Sequence, residues 1–132
     1  MSAGDSASAD RLMIVTTSRV GAVAVVTVSG ELDLHTARDL MTSVDDVLTE
    51  PGLGGVVIDL TGVSFLGSSG LGTLAELATR APASRRPDES PVPVRLVSAP
   101  DNRAVIRPWE TMNLQQILPL HADVAAALAD LG

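Results

Sequence analysis

GVVIDLTGVSFLGSSGLGTLAEL, Gly55–Leu77, holds the change of pattern on which the fold turns. Its first six residues, Gly55 to Leu60, are a short and almost wholly apolar run, as expected of a strand covered on both faces. After FLGSSGLG (Phe65–Gly72), the residues Leu71, Leu74, Leu77 and Ala78 recur at helical spacing. Two adjacent serines therefore stand among glycines at a strand-to-helix turn. Such a turn suits a nucleophile, a phosphate cradle, a phosphorylation target or a plain helix cap.

On the N-terminal side, Leu12 to Thr17 and Ala22 to Val28 are β-branched and apolar, with Ser18-Arg19-Val20-Gly21 between them, which predicts an antiparallel hairpin. From Leu34 the period changes. Leu34, Ala37, Leu40, Met41, Val44, Val47 and Leu48 share one face of an amphipathic helix. Thr36 with Asp39 resembles a capping box, so this helix starts at Asp33 or Thr36, and Pro51-Gly52 stops it. On the C-terminal side, Ala81 to Pro91 is rich in Pro, Ser and charge and predicts an exposed loop. Val92 to Val97 is a further strand. Asp101 to Met112 reads as a helix that Pro108 kinks or ends early. Ile117–Leu118 predicts a last short strand, and His121 to Leu131 a closing helix.

The order β-β-α-β-α-β-α-β-α implies an α/β domain. It has a small, mostly parallel sheet of about five strands, an antiparallel N-terminal edge and about four flanking helices. Residues 1–11, small, polar and acidic, read as a flexible tail, leaving 12–132 as one domain. Its 132 residues suffice for a single core, and with 45% hydrophobic but only 2% aromatic residues that core must be built from Val, Leu, Ile and Ala. The net charge of −7 argues against a nucleic-acid partner. All nine basic residues are arginine, and cysteine is absent, which removes disulfides, thiolate metal sites and cysteine nucleophiles. No apolar run approaches the ~20 residues needed to span a bilayer. The expectation is a cytoplasmic protein without membrane contact, cofactor or metal.

At the serine turn, a P-loop requires a lysine that this chain lacks. The glycines Gly67, Gly70 and Gly72 run in the reverse of the dinucleotide-binding spacing. A hydrolase elbow would put glycine two residues after the nucleophile, but Leu71 stands there for Ser69, and only His35 and His121 are available as bases. Asp33 and His35 offer two metal ligands without a third; His35 is better read as partly exposed near a helix N-terminus. Serine also caps helices well, so Ser68-Ser69 is explained by a helix starting near Gly70. The same geometry exposes a hydroxyl where the free amides and dipole of a helix stabilise an added phosphate.

Three segments carry a family likeness: VTVSGELDLHTARDL (Val26–Leu40), VVIDLTGVSFLGSSGLGTL (Val56–Leu74) and VRLVSAPDNRAVIRPWETMNLQQIL (Val94–Leu118). Together they resemble the STAS domain, and among its members the bacterial anti-sigma factor antagonists. The resemblance runs over about residues 12–131. It implies a non-enzymatic partner switch that binds an anti-sigma factor, usually a serine kinase, and so releases a sigma factor. The kinase phosphorylates the antagonist and a serine phosphatase reverses the step. Carried over, the phosphoacceptor is Ser68, Ser69 takes the capping role, and Asp33 of G-E-L-D lies beside them. The partner-binding edge is then Asp33, Leu66, Gly67, Ser68, Ser69, Gly70 and Leu71. The chain departs from the family motif D-S-S-G at Gly67, where the carboxylate is missing. The alternatives are a STAS adaptor that binds without the switch, and, from another class, a small-molecule binding domain or a minimal serine hydrolase.

Overall fold

The computed structural model describes residues 13–83, 91–116 and 118–131. The expected N-terminal tail, residues 84–90 of the expected loop, and Ile117 of the expected last strand lie outside the described residues. The chain forms β1 (Met13–Val20), β2 (Val23–Leu32), α1 (Leu34–Leu48), β3 (Gly55–Leu66), α2 (Ser68–Ala83), β4 (Val94–Val97), α3 (Arg103–Thr111), β5 (Leu120–His121) and α4 (Val124–Leu131). A 3-10 turn at Leu114–Gln116 follows α3. The strands lie in chain order, β1-β2-β3-β4-β5. The β1–β2 pair is antiparallel and every other pair is parallel, as the strand–helix alternation requires.

Alternation along the strands divides the core between two faces. Ala24, Val26 and Val28 of β2, Val56, Ile58 and Leu60 of β3, and Leu96 of β4 point to one side. There they meet Leu40 and Val44 of α1, Leu74 and Leu77 of α2, and Val105 and Trp109 of α3. On the opposite side Val25, Val57 and Val97 meet Ala127 of α4. Three helices thus cover one face of the sheet and one covers the other. Trp109 is fully buried, and its indole Nε1 donates to the Leu118 carbonyl at 2.9 Å, so its one polar group is not stranded.

Several boundaries differ from the sequence expectation, each for a local reason. The hairpin turn is two residues, Gly21-Ala22, because β1 runs through Ser18, Arg19 and Val20 to the pair Val20↔Val23. Gly21 at φ 59° supplies the left-handed residue that a tight hairpin needs, and these exposed β1 positions tolerate polar side chains. The strand expected to end at Leu60 continues to Leu66. The helix after it reaches Ala83, so Ala81–Ala83 are helical rather than loop. Helix α3 starts at Arg103 behind an Asn102 cap and ends at Thr111, soon after Pro108.

The last strand is Leu120–His121 and not Ile117–Leu118. The Leu118 amide turns back to the Leu114 carbonyl at 2.7 Å, while Leu120 and His121 pair with Leu96 and Val97. His121 therefore belongs to the sheet. Helix α4 begins later, at Val124, where the Asp123 carboxylate accepts the Ala126 amide at 2.8 Å.

Candidate functional site

The carboxyl ends of β2 and β3 lie side by side, and each strand passes directly into a helix, through Asp33 and Gly67 respectively. The Gly67 amide donates to the Leu32 carbonyl at 3.0 Å and ties the two turns together. Asp33 and the Gly67–Ser69 turn, far apart in the chain, are thereby brought to one edge of the sheet.

Asp33 is the N-cap of α1. Its Oδ1 accepts the amides of His35 at 2.9 Å and Thr36 at 3.1 Å, while the Thr36 hydroxyl accepts the Asp33 amide at 2.9 Å. The capping box is thus Asp33 with Thr36, and not Thr36 with Asp39, because the aspartate oxygen reaches the free amides of the first turn. The Thr36 hydroxyl also donates to the Glu31 carbonyl at 2.8 Å. The Thr36 amide, with those of His35 and the Thr36 hydroxyl behind it, holds the Asp33 carboxyl below the usual aspartate range against a smaller opposing effect of desolvation.

The turn at Gly67 is built differently. The Leu71 amide donates to the Gly67 carbonyl at 3.0 Å, which is the first helical bond and places Gly67 at the N-cap position. Helix α2 starts at Ser68, earlier than the sequence suggested, and Ser69 lies inside its first turn instead of capping it. Among the described residues neither serine hydroxyl has a hydrogen-bond partner, and both serines are exposed. The early start follows from Gly70. A Cβ at that position would stand 2.6 Å from the Leu32 carbonyl oxygen and 2.9 Å from both Leu32 Cγ and Leu66 Cδ1. Only glycine lets the first turn of α2 seat on the end of β2.

The candidate edge divides by exposure. Leu66 and Leu71 are 6% and 8% exposed and belong to the main core, which settles whether their apolar strip faces the interior. They support the turn from beneath together with buried Gly70. Gly67, Ser68, Ser69 and the partly exposed Asp33 form its outer face.

Two large apolar residues also lie here: Phe65, which the periodicity did not single out, and Leu34, which the periodicity set on the apolar stripe of α1 but which stands outside the core at the first turn of the helix. Phe65 is 51% and Leu34 69% exposed. Phe65 faces outward because β3 gains a residue on β2 between the pairs Gly30↔Val63 and Glu31↔Phe65. That bulge reverses the alternation, turning Phe65 out and Leu66 in. Beside the turn an open groove of about 450 Å³ separates α1 from α2, with Leu34, Ala37, Arg38 and Met41 facing Ser69, Gly72, Thr73 and Glu76.

No Ser–His relay is assembled among the described residues. His35 is exposed on α1, and His121 sits in β5 with its Nε2 3.6 Å from Asp130. No group of three or more His, Asp or Glu side chains with metal-binding proximity occurs among the described residues. Among them also, no helix is long and apolar enough to cross a membrane.

Fold and site define a small α/β module that presents an exposed serine turn at the carboxyl ends of its central strands. The family model of the STAS domain matches residues 12–127, and the chain belongs to that family. A 75-residue stretch, 57% of the chain, is 41% identical to the anti-sigma-F factor antagonist RsfB of Mycobacterium tuberculosis, and spans 56% of that relative's length. Among solved structures, an anti-sigma factor antagonist from Mycobacterium paratuberculosis matches with a TM-score of 0.73 and 29% identity, over 90% of this chain and 93% of that one. The anti-sigma factor antagonist SpoIIAA in its unphosphorylated form shares the fold with a TM-score of 0.60 and 17% identity, over 89% and 96% of the two chains.

Proposed function

We propose that the protein is an anti-sigma factor antagonist: a non-enzymatic, cytoplasmic switch that occupies an anti-sigma factor of the serine-kinase type and so frees a sigma factor. The observation that carries this reading is the unpartnered, exposed hydroxyl of Ser68 in the first turn of α2, held beside Asp33 by the bond from the Gly67 amide to the Leu32 carbonyl. The names of the relatives in Mycobacterium support the same reading.

In this reading the docking edge is Asp33 with Gly67, Ser68 and Ser69, carried on Leu66, Gly70 and Leu71. The kinase transfers the γ-phosphoryl group of ATP to Ser68 Oγ, with ADP leaving and the hydroxyl proton passing to the kinase. A serine phosphatase removes the phosphate. The added group brings roughly −1.5 to −2 charges. On the free protein, the amides of the first turn of α2 and bulk water solvate it. In a docked complex the same group loses water, and stranding a charge in an interface costs several kcal/mol, against about 0–1 kcal/mol gained by an exposed ion pair. Phosphorylation therefore opposes docking.

Gly67 bears on the second reading, an adaptor that binds without being switched. The glycine leaves α2 without a side-chain cap and the turn without the carboxylate of the family motif. Calorimetric titration of anti-sigma factors with wild type, Ser68→Ala and Ser68→Glu separates the two. The switch expects Ser68→Ala to bind like wild type and Ser68→Glu to bind at least about tenfold more weakly. Equal binding by all three variants selects the adaptor, and no binding by any of them removes both.

A further inference from the structure

Phe65 is the only phenylalanine in a chain whose one tryptophan is fully buried, and it is half-exposed beside the serine turn. The β3 bulge is what turns it outward; an unbroken ladder would have paired Phe65 with Leu32, on the core side. A Cβ at position 67 would stand 3.3 Å from Phe65 Cε2, so the ring lies against the glycine at the head of α2. Leu34, the first residue of α1, lines the groove that also contains Ser69. Two large apolar side chains thus flank the serine turn from its two sides. Two carboxylates stand beside them, with Arg38 of α1 further along the groove: Glu31 pairs in register with Phe65, Asp33 precedes Leu34, and Glu31 makes no ion pair among the described residues.

We infer that Phe65 and Leu34 are the apolar anchors of the docking surface, and that they insert into an apolar cleft on the protein partner whose rim toward Glu31 and Asp33 is cationic. This rests on the docking reading above and specifies what the partner must offer. Aromatic side chains that are rigid and fully covered on binding carry a disproportionate share of interface energy, and Phe65 is placed to do so without loss to the core. The cationic rim follows from complementarity to the carboxylates and from the net charge of −7.

The test uses the full chain and the purified serine-kinase anti-sigma factors of the source organism, with thermal melts confirming that each variant is folded. Phe65→Ala and Leu34→Ala should each weaken binding tenfold or more. Met112→Ala, exposed beyond the end of α3, should leave it unchanged. The association rate should fall several-fold as salt is raised. If both anchor variants bind like wild type while Ser68→Glu still weakens binding, the anchors are refuted and the docking reading stands. An association rate independent of salt refutes the cationic rim. If wild type binds none of these anti-sigma factors, the docking reading falls, and this inference with it.

Discussion

Gly70 and Gly72 stand two residues apart in α2, and opposite constraints act on them. At Gly70 a methyl group meets the Leu32 carbonyl at 2.6 Å, a backbone atom that cannot step aside. At Gly72 nothing lies within 4 Å. Helix propensity favours alanine at both by about 1 kcal/mol. Gly72→Ala is therefore expected to stabilise the protein by roughly 0.5–1 kcal/mol. Gly70→Ala should destabilise it by about 1–3 kcal/mol, overpacking outweighing propensity; urea melts of the two variants check the contrast. Asp33 gives a pH-dependent counterpart. Its carboxyl titrates below its unfolded value, so its stabilisation is present above the usual aspartate range and is lost as pH falls through the depressed value. Asp33→Asn keeps an N-capping side chain but no charge. The stability gap between it and wild type should be widest near neutral pH and close in strong acid, as urea midpoints measured across pH would show.

Among the elements, β3 and α2 show where pattern sufficed and where it did not. The apolar run Gly55–Leu60 and the stripe of α1 were legible because each buries most of what its period predicts, with Leu34 at the start of the stripe the exception. The continuation of β3 to Leu66 was hidden by two register shifts, which break the alternation that marks a strand. The same shifts concealed the outward turn of Phe65. The start of α2 was misplaced because serine is the better N-cap by preference, whereas the steric fit of Gly70 on Leu32 decides the seating. The last strand was misplaced because Leu120 and His121 are chosen by the register with β4, a long-range fact.

The irregular part of β3 also needs hydrogen-bond partners, and Asn102 supplies them. Its Nδ2 donates to the Val63 carbonyl at 3.0 Å and reaches that of Leu60 at 3.3 Å, while its Oδ1 accepts the Ala104 amide at 3.2 Å. Asn102→Ala removes a helix cap and leaves bulge carbonyls without that donor. It should cost about 1–2 kcal/mol, read as a lower denaturant midpoint with an unchanged slope.

Across the whole molecule, the helices are divided three to one between the faces of a five-stranded sheet, and the carboxyl ends of β2 and β3 carry the site. In α/β sheets such ends are where strands hand over to helix N-termini and where ligands gather. The class of fold, the sheet edge and the pairing of Asp33 with the serine turn were readable from order and resemblance. The division of that edge into buried supports, an exposed hydroxyl and two apolar flanks required the three-dimensional register. On this account α2 presents Ser68 to a kinase while the core beneath holds the turn in place. Incubating the protein with the serine-kinase anti-sigma factors of the source organism and Mg-ATP, then weighing the intact chain, tests that claim most directly. The account predicts a gain of one phosphate, about 80 Da, on wild type and none on Ser68→Ala. An unmodified wild type in a complex that forms, or equal phosphorylation of Ser68→Ala, would contradict it.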